Sequence, residues 1–204
     1  SLFSGAMGLD LGLNEAGLRV AVSQDMDKWC IETMRRNSHL AIDGDIRDLI
    51  ESDPSCEFFL QASGVTREAL FAVVGGPPCQ PFSTAGKRKG VEDARGQLYQ
   101  EFIKVVSALR PRFFIMENVK GLASMPCDPA DKQSKPVLDT ILESFKAIGY
   151  HTVHGILDAV HYGTPQFRER LVIVGSRVGE YVFLPAPTHF RRHQNPAMRW
   201  QPLG

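Results

Sequence analysis

Cys79 lies in GGPPCQPFS, residues 75–83, directly after an apolar run. Pro77 and Pro78 fix their own φ angles and restrict the residues before them, so the turn is stiff and holds the thiol in one place. A nucleophile gains from such a fixed approach, and a helix N-terminus or basic side chain nearby would raise its thiolate fraction. The plain alternative is a small buried core cysteine, yet a core cysteine has no need of two prolines before it. A cysteine nucleophile wants a proton-handling partner. None of the six histidines closes an apolar run, whereas Glu117, in RFFIMEN (112–118), does. A carboxylate there, followed by Asn118, suits holding a proton beside a thiol adduct. Arg168 and Arg170 stand two apart before another apolar run and share one face if that stretch is extended. Paired guanidiniums suit a phosphate or an electron-rich carbonyl; the plain alternative is a surface pair on an edge strand.

A second constellation lies near the start. In SLFSGAMGLDLG, residues 1–12, Phe3, Ser4, Gly5 and Gly8 lead from a strand into a helix. Gly5 and Gly8 allow a tight turn and close approach of a ligand to the backbone, and free amides at a helix start suit a negatively charged group. Asp25 follows the next apolar run about 20 residues on, where an acid in a dinucleotide-type fold takes a ribose hydroxyl. Asp45, in GDI (44–46), can accept from an exocyclic amine. A helix N-cap is the ordinary reading of either aspartate. The third glycine of a dinucleotide fingerprint is missing, so an adenosine-bearing cofactor with a carboxylate fits as well as a dinucleotide.

The elements that must position these residues alternate along the chain. Strand-like runs occupy residues 18–24, 70–76, 112–118, 151–160 and 170–176. Helical spacing marks residues 27–37, 96–110 and 137–149, with Pro111 and Gly149 as stops. Strands separated by helices of this length predict an α/β domain: a Rossmann-like, doubly wound, mainly parallel sheet with helices on both faces. In such a sheet ligands sit at the carboxyl ends of the strands, and Phe3 to Gly8, Asp25, Asp45, Cys79 and Glu117 all fall just past apolar runs. The 204 residues suffice for one domain with a real core. Lys+Arg and Asp+Glu both total 23, so net charge points to no partner class. The cluster Lys87, Arg88, Lys89 is a solvated loop by default. Four cysteines without a C-x-x-C pair, and histidines without ligand spacing, argue against zinc and disulfides and for a reducing, cytoplasmic setting. No apolar run reaches membrane-span length.

Together these stretches resemble the cytosine-C5 DNA methyltransferases of bacteria and phages, in order along essentially the whole chain. LFSGAMGLDLGL, SQDMDKW, GDI, GGPPCQPFSTAGKRKG, the Asp93–Arg95–Gly96–Leu98 pattern, ENVKGL and AVHYGTPQFRERLVIVG each match a family motif. The resemblance implies that Phe3, Ser4, Gly5, Gly8, Asp25, Met26, Asp45, Ile46, Pro78 and Leu98 hold S-adenosylmethionine, with S-adenosylhomocysteine as product and no metal. It implies that Cys79 attacks carbon 6 of a flipped-out cytosine. Glu117 then contacts N3 and the exocyclic amine, and Arg170, with Arg168, helps hold O2 and the thiol loop. Gln80, Ser83, Lys87, Arg88, Lys89 and Arg95 meet DNA, the basic residues on phosphates.

One departure stands out: Met7 replaces the middle glycine of F-x-G-x-G-G, which predicts a wider loop or altered cofactor affinity. The catalytic and cofactor-binding domain is expected over residues 1–184, with residues 185–204 as an exit linker toward an absent target-recognition domain. The implied partners are double-stranded DNA and, in a restriction-modification system, a cognate restriction endonuclease. A cytoplasmic monomer, free of membrane, is expected. The alternatives are a tRNA cytosine-C5 methyltransferase of the same family and a non-catalytic regulatory homologue; retention of Cys79, Glu117 and Arg170 argues against the latter.

Overall fold

The computed structural model describes residues 1–78, 98–128, 130–131, 133–192 and 194–200. Cys79, Gln80, Ser83, Lys87, Arg88, Lys89 and Arg95 lie outside the described residues.

The chain alternates short strands and helices: α1 (Gly8–Glu15), β1 (Ser23–Asp25), α2 (Lys28–Arg36), β2 (Ala41–Asp43), α3 (Ile46–Ser52), α4 (Glu57–Ser63) and β3 (Ala72–Gly75). Then follow α5 (Leu98–Leu109), β4 (Phe113–Val119), α6 (Val137–Ala147), β5 (His151–Asp158) and β6 (Glu169–Ser176). β1 pairs with β2, and the other four strands run in the order β3-β4-β6-β5. Leu2 joins the two groups through parallel bridges to Gln24 and to Gly75. The spatial order is therefore β2-β1-Leu2 segment-β3-β4-β6-β5, a doubly wound sheet that reverses direction at the Leu2 segment. β1–β2 and β3–β4 are parallel, while β6 runs antiparallel to both β4 and β5.

That antiparallel strand is the main refinement of the sequence expectation. Gly163, at φ +91, closes the turn Ala159–Tyr162, so β5 returns as β6 without a helical crossover. The first apolar run is regular only over Ser23–Asp25. The short elements β2, α3 and α4 lie in a stretch whose mixed polarity carries too few periods to read.

Packing follows the apolar spacing. On α5, Leu98, Phe102, Val105, Val106 and Leu109 are all buried, the i, i+3, i+4 stripe of a helix covering a sheet. Along β4, Phe114, Met116 and Asn118 are buried and alternate with half-buried Phe113, Ile115 and Glu117. Phe114 stacks on Phe145 of α6 with centroids 3.8 Å apart. The α5 stripe, Phe114, Met116 and Phe145 belong to one large core with α3 and α4, whereas Met7, Ile31 and Met34 form a separate small cluster that joins α1 to α2. Right-handed crossovers account for the division, placing α1 and α2 on one face and α3 to α6 on the other.

Candidate active site

Five backbone segments end at the same edge of the sheet: Phe3–Gly5 after the Leu2 bridge, Asp25 closing β1, Gly44–Asp45 after β2, Gly76–Pro78 after β3, and Glu117 near the end of β4. Because β6 is antiparallel, its first residues reach that edge too, and this is why Arg170 belongs with them.

Glu117 lies opposite Val172, and Arg170 lies two residues along β6, opposite Val119. Diagonal neighbours of this kind share a face within reach of long side chains. Arg170 Nε forms an ion pair with Glu117 Oε1 at 2.8 Å, and both side chains are half-buried. Gly76 stands against the same carboxylate: a Cβ there would sit 3.0 Å from Glu117 Oε2. At Gly75 an added Cβ would come within 2.6 Å of the Leu2 carbonyl oxygen. The two glycines thus let the strand carrying the cysteine turn pass between the central segment and Glu117. Asn118, 5% exposed, turns to the opposite face and donates from Nδ2 to the Pro77 carbonyl at 2.9 Å. Its Oδ1 accepts from Val119 N at 2.8 Å. Asn118 therefore ties β4 to the turn that leads into Cys79.

Arg168 does not join Arg170. It precedes β6 and is exposed; its backbone N donates to Asp158 Oδ1 at 2.8 Å, and its carbonyl accepts from Ala159 N. The shared strand face requires residue 168 to be extended within the ladder, but the β5–β6 pairing stops at Asp158 opposite Glu169.

Beside the Glu117–Arg170 pair lies a cavity of about 200 Å³ lined by Phe3, Gln24, Asp25, Met26, Asp45, Ile46, Gly76, Pro78 and Leu98. Seven of the ten residues expected to hold cofactor are among these. The other three, Ser4, Gly5 and Gly8, frame the adjoining loop: Ser4 N donates to the Gln24 carbonyl, Gly5 N donates to Asp25 Oδ2 at 2.8 Å, and Gly8 begins α1. The second Asp25 oxygen accepts from Asp27 N at 2.9 Å. A carboxylate has further lone pairs, so hydroxyl groups can still be accepted. Asp45 takes the helix-cap role, accepting from Arg47 N at 2.9 Å at the start of α3, and it also lines the cavity. Arg47 Nε also donates to it at 2.9 Å, and this bond is the main reason its carboxyl is held below the usual carboxylate range.

Met7 takes the left-handed conformation, φ 68 and ψ 21, that a glycine holds without strain. Its side chain is 1% exposed and packs in the cluster with Ile31 and Met34. Burial offsets the backbone cost, so the loop keeps a tight turn. Phe3 is also left-handed, at φ 53. Strained non-glycine residues of this kind gather where a ligand loop is shaped by its surroundings.

Sequence reasoning did not assign Gln24, Gly76 or a positioning role for Asn118. A signal existed for two of them: Gln24 and Asn118 are polar residues at positions where the strand pattern calls for apolar ones. A larger hollow, about 520 Å³, lies at the amino ends of the strands among Leu18, Val20, Leu70 and Phe71. Its lining includes no carboxylate, so it lacks the acids that mark the smaller cavity.

Comparison with known proteins bears on this arrangement. The family model for C-5 cytosine-specific DNA methylases matches residues 1–199. The Type II methyltransferase M.AquIA of Picosynechococcus sp. is 41% identical over 196 residues, covering 93% of this chain and 75% of that protein. The Type II methyltransferase M.NgoFVII of Neisseria gonorrhoeae is 36% identical, covering 96% of this chain and 48% of that protein. A solved structure described as a DNA modification methyltransferase encoded within an E. coli prophage superposes with a TM-score of 0.63 at 27% identity, over 86% of this chain and 45% of that one. The chain thus spans three quarters of the first relative and about half of the other two.

Proposed function

The chain belongs to the C-5 cytosine-specific DNA methylase family, and from that premise we propose that it transfers a methyl group from S-adenosylmethionine to carbon 5 of cytosine in double-stranded DNA. The observation that carries the reading is the Glu117–Arg170 pair, 2.8 Å apart, beside a cavity whose Pro78 wall leads directly into Cys79.

The cavity fits the cofactor. Phe3, Met26, Ile46, Pro78 and Leu98 supply apolar surface for a flat purine, and two carboxylates stand among them. Asp25 takes the ribose hydroxyls, and Asp45 takes the exocyclic amine. Ser4, Gly5 and Gly8 let the loop approach the rest of the cofactor. When bound, S-adenosylmethionine supplies an electrophilic methyl group on a sulfonium.

Cys79 acts as nucleophile on a cytosine turned out of the duplex, because the ring edge cannot be reached inside the stack. Its sulfur bonds to carbon 6, and the electron pair of the 5,6 double bond makes carbon 5 nucleophilic. Glu117 passes a proton to N3, where negative charge builds, and accepts from the exocyclic amine. Preorganised groups aimed at developing charge lower the barrier most when they need no rearrangement, and Arg170 holds the Glu117 carboxylate in one orientation while reaching toward O2. Carbon 5 takes the methyl group, leaving S-adenosylhomocysteine, and loss of the carbon-5 proton to water then re-forms the 5,6 double bond and expels the Cys79 thiolate. Gln80, Ser83, Lys87, Arg88, Lys89 and Arg95 contact DNA around the opened base pair, with the basic residues on phosphates. Arg168, exposed and outside the Glu117–Arg170 pair, has a secondary part at the substrate. The setting is the cytoplasm; among the described residues no helix is long and apolar enough to cross a membrane. The enzyme works as a monomer.

Covalent trapping tests the reading. Duplex DNA bearing 5-fluorocytosine, incubated with S-adenosylmethionine and the full chain, gives a band stable to denaturation, because fluorine cannot leave as a proton does. Cys79→Ser removes the band. A band that persists in the variant overturns the assignment of Cys79, and methyl transfer to tRNA but not to DNA overturns the substrate.

A further inference from the structure

Gln24 has no place in the reading above, yet it is 1% exposed, lines the cofactor cavity and spans two loops that form its walls. Its Nε2 donates to the Gly44 carbonyl at 2.7 Å, immediately before Asp45. Its Oε1 accepts from Phe3 N at 3.4 Å, in the left-handed turn before Gly5. Its backbone extends the same tie: Gln24 N donates to the Ser1 carbonyl at 2.9 Å, and Ser4 N donates to the Gln24 carbonyl at 3.1 Å. No other side-chain hydrogen bond among the described residues joins the Phe3 loop to the Gly44 loop, which carry Phe3 on one side and Asp45 and Ile46 on the other.

We infer that Gln24 is a positioning residue that fixes the width of the adenosine slot, and so sets affinity for the cofactor without taking part in the chemistry. The inference rests on the proposed cofactor site. An amide suits the task because it offers a donor and an acceptor at its two ends, and its burial makes loss of either bond costly, since the carbonyl and the amide left behind are shut away from water. Phe3 at φ +53 and Gly44 at φ +148 hold conformations uncommon for ordinary residues. With the amide gone, the two loops stay linked only through the backbone and Asp25, which accepts from Gly5 N at Oδ2 and from Gly44 N at its carbonyl, so the slot is held less tightly and cofactor must order it on binding.

The test is Gln24→Met in the full chain. Methionine fills nearly the same volume and makes neither bond. S-adenosylhomocysteine binding by calorimetry, and steady-state kinetics with both substrates, are compared with wild type. The expected result is a cofactor Kd and KM raised about tenfold or more, tenfold corresponding to about 1.4 kcal/mol. The kcat at saturating cofactor and the KM for DNA stay within about twofold. A purely structural role would instead lower the unfolding midpoint and the active fraction while leaving both KM values alone, and that result overturns the inference, as does unchanged cofactor affinity. Should Gln24→Met not fold, Gln24→Asn decides: one methylene shorter, it keeps an amide that cannot span both loops and must show the same cofactor-selective loss. If wild type itself binds no S-adenosylhomocysteine, the cofactor reading falls and this inference with it; if wild type binds and the variants bind equally, this inference alone falls.

Discussion

Replacing Asn118 by leucine removes a side chain that touches neither cofactor nor base and is nevertheless expected to slow the reaction. The structure supplies the magnitude. Asn118 is 5% exposed and makes two bonds, 2.9 Å to the Pro77 carbonyl and 2.8 Å from Val119 N. Leucine preserves bulk but leaves a buried carbonyl without a donor, which costs about 1–3 kcal/mol. That penalty falls on the Pro77 carbonyl, two residues before the proposed nucleophile Cys79, so on the proposed reading the covalent step bears that cost. At about 1.4 kcal/mol per tenfold, the rate of the covalent step falls by about 5- to 150-fold. Asn118→Asp is at least as damaging, because an ionised carboxylate puts an acceptor against an acceptor. The assay is single-turnover methyl transfer with the rate of 5-fluorocytosine trapping measured alongside, so that loss of the adduct step is separated from loss of cofactor. Trapping by Asn118→Leu within twofold of wild type would refute the claim that this bond positions the nucleophile.

Other variants probe the rest of the site. Arg170→Ala frees Glu117 from its 2.8 Å partner and is expected to lower kcat by about 100-fold, the scale for losing a group that stabilises developing charge; Arg168→Ala, at an exposed position outside that pair, lowers it far less, and equal losses in steady-state rates would contradict the geometry. At Met7 the usual order of substitutions inverts. Both Met7→Ala and Met7→Gly lose a buried side chain at about 2–5 kcal/mol, but at φ 68 glycine escapes a backbone cost of about 1–2 kcal/mol, so urea unfolding should find the glycine variant the more stable. Arg47 holds the Asp45 carboxyl below its usual range. A folded value below the unfolded one gives stability that is present above the unfolded value, about 3.9, and lost as pH falls through the folded one. The stability gap between wild type and Asp45→Asn should therefore be open at neutral pH and close in acid; a gap independent of pH would mean that the charge contributes nothing.

How much was legible in the sequence differs between fold and site. Alternation of apolar runs with helical spacing announced the α/β sheet because burial against a sheet forces those periods on the chain. The stripe on α5 and the β4 run needed nothing beyond local pattern. The short stretch from β2 to α4 did not show itself, since three to seven residues carry no full set of periods. The residue types able to do chemistry were visible for a related reason: each stands just past an apolar run, and the end of a strand is where a side chain can leave the core and meet a ligand.

Tertiary structure decided which of those residues meet. Arg168 and Arg170 are equivalent in spacing, and only the end of the β5–β6 ladder sets Arg170 on Glu117 and leaves Arg168 in solvent. That β6 runs antiparallel, and so delivers its first residues to the carboxyl edge of its neighbours, depends on a turn rather than on any periodicity. Met7 departs from the glycine pattern, and its left-handed turn is affordable only because Ile31 and Met34, far along the chain, bury its side chain. Gln24 and Asn118 carry the same lesson: a polar residue at a core position signals in sequence that something must satisfy it, and only the packed structure says which carbonyl does. The sequence by itself determined the inventory of reactive groups and the sheet that holds them, because composition and periodicity are local. Distances between groups depend on strand order, direction and register, which arise only when the whole chain is buried at once.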